Sequence, residues 1–264
     1  MKRIKNKFAE LRARNEKALI VYLTAGDPSL SVTKKLILAM EKAGADILEI
    51  GVPFSDPTAD GPVIQAAAQR SLKAGTTLEG VLKMVAKVRK VSNIPIVLFG
   101  YFNPIFAYGV KKFAQAARNA GVDGVLVVDL PYEEARELRD YTDAVGIDFI
   151  SLIAPTTDKE RLRKIVSKAS GFLYYISITG ITGTAAPKIG NIKTEVSKIR
   201  KITKLPIAVG FGISRPEQAR EIGRFANGVV IGSAVVRLID ENKNNGNLSK
   251  ILSDYISNIK RELR

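Results

Sequence analysis

Residues 47–62 read ILEIGVPFSDPTADGP, and the fold can be worked out from this stretch. Apart from Glu49, its first six residues are apolar or glycine, which is typical of a strand buried on both faces. An unpaired carboxylate inside such a run is costly, so Glu49 is expected to reach solvent, a partner or a substrate. Prolines stiffen the following loop by fixing their own φ angles, and Asp60 lies in that loop. The two carboxylates therefore form a candidate site.

The same unit, an apolar run followed by a helical pattern, recurs along the chain. The apolar runs predict strands at 18–23, 46–52, 94–99, 124–129, 149–153, 172–178, 205–209 and 228–231. Helical spacing predicts helices at 2–14 and 31–43, a helical segment after Asp60 that extends to residue 72, and helices at 78–91, 110–120, 133–145, 159–169, 194–203, 215–225, 233–239 and 248–263. About eight buried strands, each followed by a helix, favour a (β/α)8 TIM barrel with an extra N-terminal helix.

No linker or shift in composition divides the chain, so residues 1–264 are predicted to form one barrel domain. An open doubly wound sheet is the alternative. Its dinucleotide-binding version is disfavoured because no Gly-x-Gly-x-x-Gly motif follows the first strand.

The composition restricts the chemistry. The chain contains no cysteine and no histidine, which excludes disulfides, thiolate nucleophiles and any histidine base. A metal site would need carboxylates alone, and none is predicted. Acid–base chemistry must therefore come from Asp, Glu, Tyr or Lys. With no apolar run long enough to span a membrane and no apolar core after the basic N-terminus, a cytoplasmic protein is expected.

The formal net charge is +15, which raises the possibility of nucleic-acid binding. The basic residues, however, lie at helical spacing among acidic ones, and no basic stripe alternates with aromatic residues. Solvated helix faces are the favoured interpretation. A basic protein can still attract an anionic substrate or an acidic partner protein.

Polar groups lie at or near the C-terminal ends of several predicted strands, where barrels carry their chemistry. These residues are Thr24, Asp27, Glu49, Tyr101, Asn103, Asp129, Tyr174, Tyr175, Gly210 and Gly212. They are expected to converge on one mouth of the barrel, and this convergence indicates an enzyme.

Two glycine-rich stretches near the C-terminus are typical of a phosphate site. One is 209–214 after the seventh strand, and the other is 230–234 after the eighth. Glycines allow backbone N–H groups to approach a phosphate, although such turns also simply close tight loops. A third stretch, 179–191, is long for a loop of this kind and predicts either a lid or a disordered insertion.

Taken together, these motifs resemble the tryptophan synthase alpha-subunit family. The resemblance covers nearly the whole chain and rests on YLTAGDP at 22–28, the stretch 47–62, DLP at 129–131, TGITG at 179–183, GFGIS at 210–214 and GS at 232–233. It implies cleavage of indole-3-glycerol phosphate to indole and glyceraldehyde 3-phosphate, with no cofactor in this chain. It also implies an α2β2 complex in which indole passes to a pyridoxal-phosphate-dependent beta subunit.

The resemblance implies that Glu49 and Asp60 are the catalytic pair. Glu49 would protonate indole C3 and take the proton from the neighbouring hydroxyl, as an acid and then a base with a raised pKa. Asp60 would accept the indole N–H and stabilise the developing positive charge. On the residues alone, a buried ion pair with a lysine for Glu49 and a loop cap for Asp60 are equally acceptable.

Further positions match the family's substrate and partner sites. The substrate-binding positions are Tyr22, Phe99, Tyr101, Leu126, Tyr174, Thr182, Gly183, Phe211, Gly212, Gly232 and Ser233. Thr182 and Gly183 match a lid that closes towards Asp60, and the pattern leaves open whether Tyr174 or Tyr175 faces the barrel. Pro53, Asp56 and Pro57 match the contact with the beta subunit.

Three alternatives remain at this point: a free-standing lyase that needs no partner, another barrel enzyme acting on a phosphosugar, and a non-catalytic binding module.

Overall fold

The structure, a computed structural model, describes residues 2–176, 189–210 and 212–264. The strands are β1 (Ala18–Thr24), β2 (Ile47–Gly51), β3 (Ile96–Gly100), β4 (Gly124–Val127), β5 (Asp148–Phe149), β6 (Ser151–Ile153), β7 (Leu173–Ile176), β8 (Ile207–Gly210) and β9 (Gly228–Ile231). The helices are α1 (Arg3–Ala13), α2 (Leu30–Lys42), α3 (Pro62–Lys73), α4 (Leu78–Arg89), α5 (Phe102–Tyr108), α6 (Val110–Ala120), α7 (Arg136–Thr142), α8 (Lys159–Lys168), α9 (Ile189–Arg200), α10 (Pro216–Gly223), α11 (Ser233–Asn242) and α12 (Leu248–Arg261).

The strands pair in parallel in the order β5-β4-β3-β2-β1-β9-β8-β7-β6. β5 and β6 are separated only by Ile150. β5 pairs with β4, and β6 pairs with β7. The segment from Asp148 to Ile153 therefore acts as the fifth barrel strand and joins the two ends of the sheet, which confirms the predicted TIM barrel.

Alternation along the strands sorts the apolar side chains into two layers. One set points into the barrel and includes Ile20, Ile47, Val97, Leu126, Ile150, Phe172, Tyr174 and Val230. The larger set lies between the strands and the surrounding helices, as Val21, Leu48 and Val209 do. Because side chains alternate with a period of two, Glu49 shares the inward face with Ile47.

The predicted N-terminal helix is present as α1, and it covers the amino ends of the strands. Ile4, Phe8 and Leu11 join the barrel-interior cluster, and the rings of Phe8 and Phe172 lie 5.7 Å apart. Arg3 forms an ion pair of 3.0 Å with the buried Asp123 beside β4. This end of the barrel is consequently filled with apolar side chains.

Three local differences from the predicted elements have physical causes. The helix predicted at 133–145 is shorter, since α7 begins at Arg136 after a turn and ends in a 3₁₀ turn over Asp143–Val145. The short helix α5 was not predicted. Pro104 is tolerated in its first turn because a backbone N–H at that position would have no partner within the helix, so the N–H that proline lacks is not missed. The fifth strand is divided at Ile150, where pairing changes from one neighbour to the other.

Among the helices that the structure describes, none is both long and apolar enough to cross a membrane.

Candidate active site

Glu49 lies fully buried inside the barrel. Its side chain is 0% exposed, and within the described residues neither carboxylate oxygen has a hydrogen-bond partner. Burial raises the pKa of Glu49 to about 8. The alternative of a buried ion pair with lysine therefore finds no support in the described part of the chain. A carboxyl group in this state is protonated near neutral pH and can serve as an acid.

Asp60 lies half-buried in the loop between β2 and α3. Its Oδ2 accepts a hydrogen bond of 3.0 Å from the hydroxyl of Tyr101, which itself accepts one of 3.0 Å from the Ala59 N–H. The Gln65 amide donates to the Asp60 carbonyl at 2.8 Å and fixes the loop. Burial raises the pKa of Asp60 to about 6, and the Tyr101 hydrogen bond opposes this rise. The hydrogen bond that holds this carboxylate therefore comes from Tyr101, the residue that follows β3.

Tyr22 and Tyr174 line the barrel interior next to these carboxylates. Burial raises the pKa of Tyr22, and the nearby charges of Asp60 and Glu49 raise it further. The pKa of Tyr174 is raised by burial and by the charge of Glu49. Each of the two tyrosines therefore lies within electrostatic range of both carboxylates. Tyr175 belongs instead to the layer facing the helices, so Tyr174 is the tyrosine that faces the barrel.

Two glycines allow the tyrosine rings to lie against the barrel wall. A Cβ atom at Gly51 would collide with the Tyr22 hydroxyl, and one at Gly210 would collide with the Tyr174 hydroxyl. The Tyr22 ring also meets Phe99 edge-on at 5.2 Å between centroids. Leu126 is buried in the same interior layer. The result is a site with aromatic and apolar walls and two carboxylates.

The glycine-rich stretches lie at the ends of β8 and β9. Gly212 has a φ of +65°, a left-handed value that favours glycine, and apart from its chain neighbours no atom of the described residues lies within 4 Å of the place a Cβ would take. Gly232 precedes α11, whose first residue is Ser233. N–H groups in the first turn of a helix have no partner within it, and the helix dipole favours a negative group there. This end of the barrel is suited to an anion such as phosphate.

The loop that holds the predicted partner contact is connected to the site. Pro53 is buried, Asp56 is exposed and Pro57 is half-buried. Phe54 lies between Pro53 and Asp56, and its ring is 5.2 Å from that of Tyr101, the residue that binds Asp60. Phe54 and Tyr101 therefore connect this loop to Asp60 through two successive contacts.

Not every predicted position lies next to the carboxylates. Asp129 accepts a hydrogen bond of 2.8 Å from the Phe102 N–H and caps α5. Asp27 is paired with Arg70. Thr182, Gly183 and Phe211 lie outside the described residues. Among the residues that are described, no group of three or more carboxylates could hold a metal ion.

Comparison with known proteins identifies the family. The sequence profile of the family described as "Tryptophan synthase alpha chain" matches residues 8–262. The tryptophan synthase alpha chain of Citrifermentans bemidjiense is 49% identical over 260 residues, which cover 98% of this chain and 97% of the relative. This chain belongs to the tryptophan synthase alpha chain family.

Solved structures agree with this family. The crystal structure of tryptophan synthase subunit alpha from Legionella pneumophila superposes with a TM-score of 0.93 at 39% identity, over 100% of this chain and 98% of that one. A chain of the tryptophan synthase complex from Pyrococcus furiosus superposes with a TM-score of 0.84 at 38% identity, over 93% and 98% of the two chains. The resemblance drawn from the motifs is thus confirmed.

Two residues in this member of the tryptophan synthase alpha family were missed in the sequence. Gln65 binds the carbonyl of Asp60, and Arg70 binds Asp27. Both are polar residues on the helix that follows the 47–62 stretch, where the pattern indicates an ordinary solvated face. Only the fold brings their side chains to the loops, so spacing alone gave no signal.

Glu49 is fully buried and has no hydrogen-bond partner among the described residues, which predicts that the stability of the protein depends on pH. A glutamate in an unfolded chain has a pKa near 4.3, whereas that of Glu49 in the folded chain is about 8. Between these values the folded state binds more protons, so stability falls as pH rises. The free energy of unfolding of Glu49→Gln minus that of wild type should grow by roughly 2–4 kcal/mol between pH 5 and pH 8. Urea unfolding at each pH measures this difference.

Glu79→Gln is the matched control, because Glu79 is an exposed glutamate paired with Lys83 and its pKa is lowered by that contact. Its difference from wild type should not change over the same pH range. A pH-independent difference for Glu49→Gln would show that the folded protein does not keep this carboxyl protonated.

Proposed function

We propose that this chain catalyses the cleavage of indole-3-glycerol phosphate to indole and glyceraldehyde 3-phosphate. The observation that carries the proposal is a fully buried Glu49, with no hydrogen-bond partner among the described residues, together with an Asp60 held by Tyr101; both carboxylates lie within electrostatic range of Tyr22 and Tyr174. Two carboxylates in different environments can take different protonation states and therefore different roles.

In the proposed reaction, the indole first binds between the aromatic walls, and both carboxylates then take part. Glu49, protonated at the outset, donates its proton to C3 of the indole. Asp60 accepts the indole N–H and stabilises the positive charge that develops on the ring. Glu49, now a carboxylate, takes the proton from the hydroxyl on the carbon attached to C3. The bond between C3 and that carbon breaks, its electrons return to the ring, and the carbon becomes an aldehyde.

The remaining groups would bind the two ends of the substrate. Tyr22, Phe99, Leu126 and Tyr174 supply apolar and aromatic surface for the indole. Gly212 and the start of α11 at Gly232 and Ser233 would bind the phosphate through backbone N–H groups. Thr182, Gly183 and Phe211 complete the proposed binding set from the sequence.

We further propose that indole passes to a pyridoxal-phosphate-dependent beta subunit in an α2β2 complex. The family name describes one chain of a synthase, and the Pyrococcus furiosus structure is that of a complex. The loop that carries Pro53, Asp56 and Pro57 would form the contact, with the exposed Asp56 at its surface. Its link to Asp60 through Phe54 and Tyr101 gives a route by which the partner could affect the reaction.

Indole release from indole-3-glycerol phosphate tests the proposal. The wild-type chain is expected to release indole slowly alone and faster when a tryptophan synthase beta chain is added. Free indole or its conversion to tryptophan can be followed over time. A chain that is inert even with the beta chain would contradict the proposed reaction, whereas full activity without it would indicate a free-standing lyase.

A further inference from the structure

Three elements that carry the proposed site meet around the ring of Tyr22. Ala67 of α3 and Val236 of α11 form one buried cluster with Tyr22 of β1. Asp60 lies just before α3, and the proposed phosphate site is at the start of α11. The contact therefore joins the Asp60 end of the site to its phosphate end.

An ion triad joins the same three elements about one helical turn further on. Arg70 of α3 donates from Nε and Nη2 to the two carboxylate oxygens of Asp27, at 2.9 and 2.7 Å. Its remaining nitrogen, Nη1, lies 3.2 Å from Oδ2 of Asp240 on α11. The side chain of Asp27 is 3% exposed, that of Arg70 27% and that of Asp240 38%. All three guanidinium nitrogens are thus used to join two carboxylates on different elements.

The inner end of this triad is fixed. Asp27 follows β1 in a loop where the Ser71 hydroxyl donates to the Ala25 carbonyl at 2.5 Å and the Gly26 N–H donates to Thr33 at 3.0 Å. A planar guanidinium bound through two nitrogens to a buried carboxylate has little freedom. The direction of Nη1 is therefore set by the β1 loop, and Asp240 binds to a preformed position.

We propose that Arg70 is a positioning residue that, through Asp240, fixes the N-terminal end of α11 relative to Tyr22 and Asp60. Asp240 lies seven residues after Ser233, about 10 Å along the helix axis, so a contact there limits helix tilt without touching the bound anion. The distance between the phosphate site and the carboxylates would then be set by this contact. The inference rests on the proposed function, since it concerns how that site holds a phosphorylated substrate.

Asp240→Asn tests the inference because it weakens the link to α11 while leaving Arg70 on Asp27. We expect KM for indole-3-glycerol phosphate to rise threefold to tenfold, with kcat within twofold of wild type. The dissociation constant of inorganic phosphate, measured by calorimetry, should rise by a similar factor. A through-space charge effect would act in the opposite direction, since removing a negative charge near a phosphate site strengthens anion binding.

Lys243→Gln is the matched control on the same helix. Lys243, the residue that caps the C-terminal end of α11, pairs with Asp240 at 2.8 Å, so its removal deletes a charge and an ion pair but no link between elements. Its KM and phosphate dissociation constant should stay within twofold of wild type. If Asp240→Asn binds phosphate as well as or better than wild type while Lys243→Gln binds it more weakly, the charges act through space and the inference is wrong.

Arg70→Lys provides a second, independent variant. A lysine cannot bind Asp27 through two nitrogens and reach Asp240 at once, so KM should rise at least as much as in Asp240→Asn. The KM of the double variant should be no higher than that of Arg70→Lys, because both substitutions break the same contact between Arg70 and Asp240. Fully additive effects would overturn the inference. If the wild-type chain releases no indole, the proposed reaction is contradicted instead. The phosphate dissociation constants of the variants still test the role of Arg70 in that case.

Discussion

Replacing Glu49 by glutamine is expected to lower kcat for indole release by roughly 100- to 10,000-fold, the usual contribution of a general acid–base group. Glutamine has nearly the same size, and its neutral amide replaces a carboxyl group that is itself protonated near neutral pH. The variant should therefore fold and bind substrate but neither donate nor take up the proton. Steady-state kinetics with indole-3-glycerol phosphate and saturating beta chain measure the loss.

Asp46→Asn serves as the comparison, because Asp46 is another buried carboxylate, placed just before β2 at the opposite end of the strand from Gly51. It is bound to Lys260 at 2.8 Å and to the Leu19 N–H at 2.8 Å. Its replacement should lower stability and change kcat by less than threefold. Activity of Glu49→Gln within tenfold of wild type would rule out Glu49 as the proton-transfer group.

Asp60→Asn is expected to lower kcat by about 100- to 1,000-fold, as does removal of one group that stabilises charge in a transition state. An asparagine can keep the Tyr101 contact but carries no negative charge to offset the positive charge on the indole ring. Since that charge develops only during the reaction, KM should change much less than kcat. The same kinetic assay separates the two constants.

Tyr101→Phe tests the origin of the effect. It leaves the Asp60 carboxylate in place and removes the hydroxyl that donates a hydrogen bond to its Oδ2. The loss of kcat should be smaller than for Asp60→Asn, because the charge remains. If Asp60→Asn retains wild-type kcat, or if it loses only substrate affinity, Asp60 binds the indole without assisting bond cleavage.

The positions of the strands could be predicted because each buried strand is a short, nearly continuous apolar run. The start of α7 and the existence of α5 could not. α5 is capped by Asp129, which lies in the turn after β4, and such a contact is not encoded in local spacing. The closure of the sheet at Ile150 likewise depends on pairing with both β4 and β7.

The candidate site was predictable where a residue breaks a pattern. Glu49 stands out as a charge in an apolar strand, and Asp60 as a carboxylate in a stiff loop. The choice between Tyr174 and Tyr175 needed the strand register, since one step reverses the face. Arg70 and Gln65 resemble any polar residue of a solvated helix until their partners are seen.

The helix α1 and Phe172 fill the amino end of the barrel beneath Glu49. Among the described residues, the amino end of the interior is therefore filled by apolar side chains, so access to this carboxyl is expected from the carboxyl ends of the strands. In the proposed reaction, water and protons would then reach Glu49 from the same end as the substrate. With indole bound there, exchange of the Glu49 proton with bulk water would be restricted, and a proton accepted from one part of the substrate would stay available for the next step.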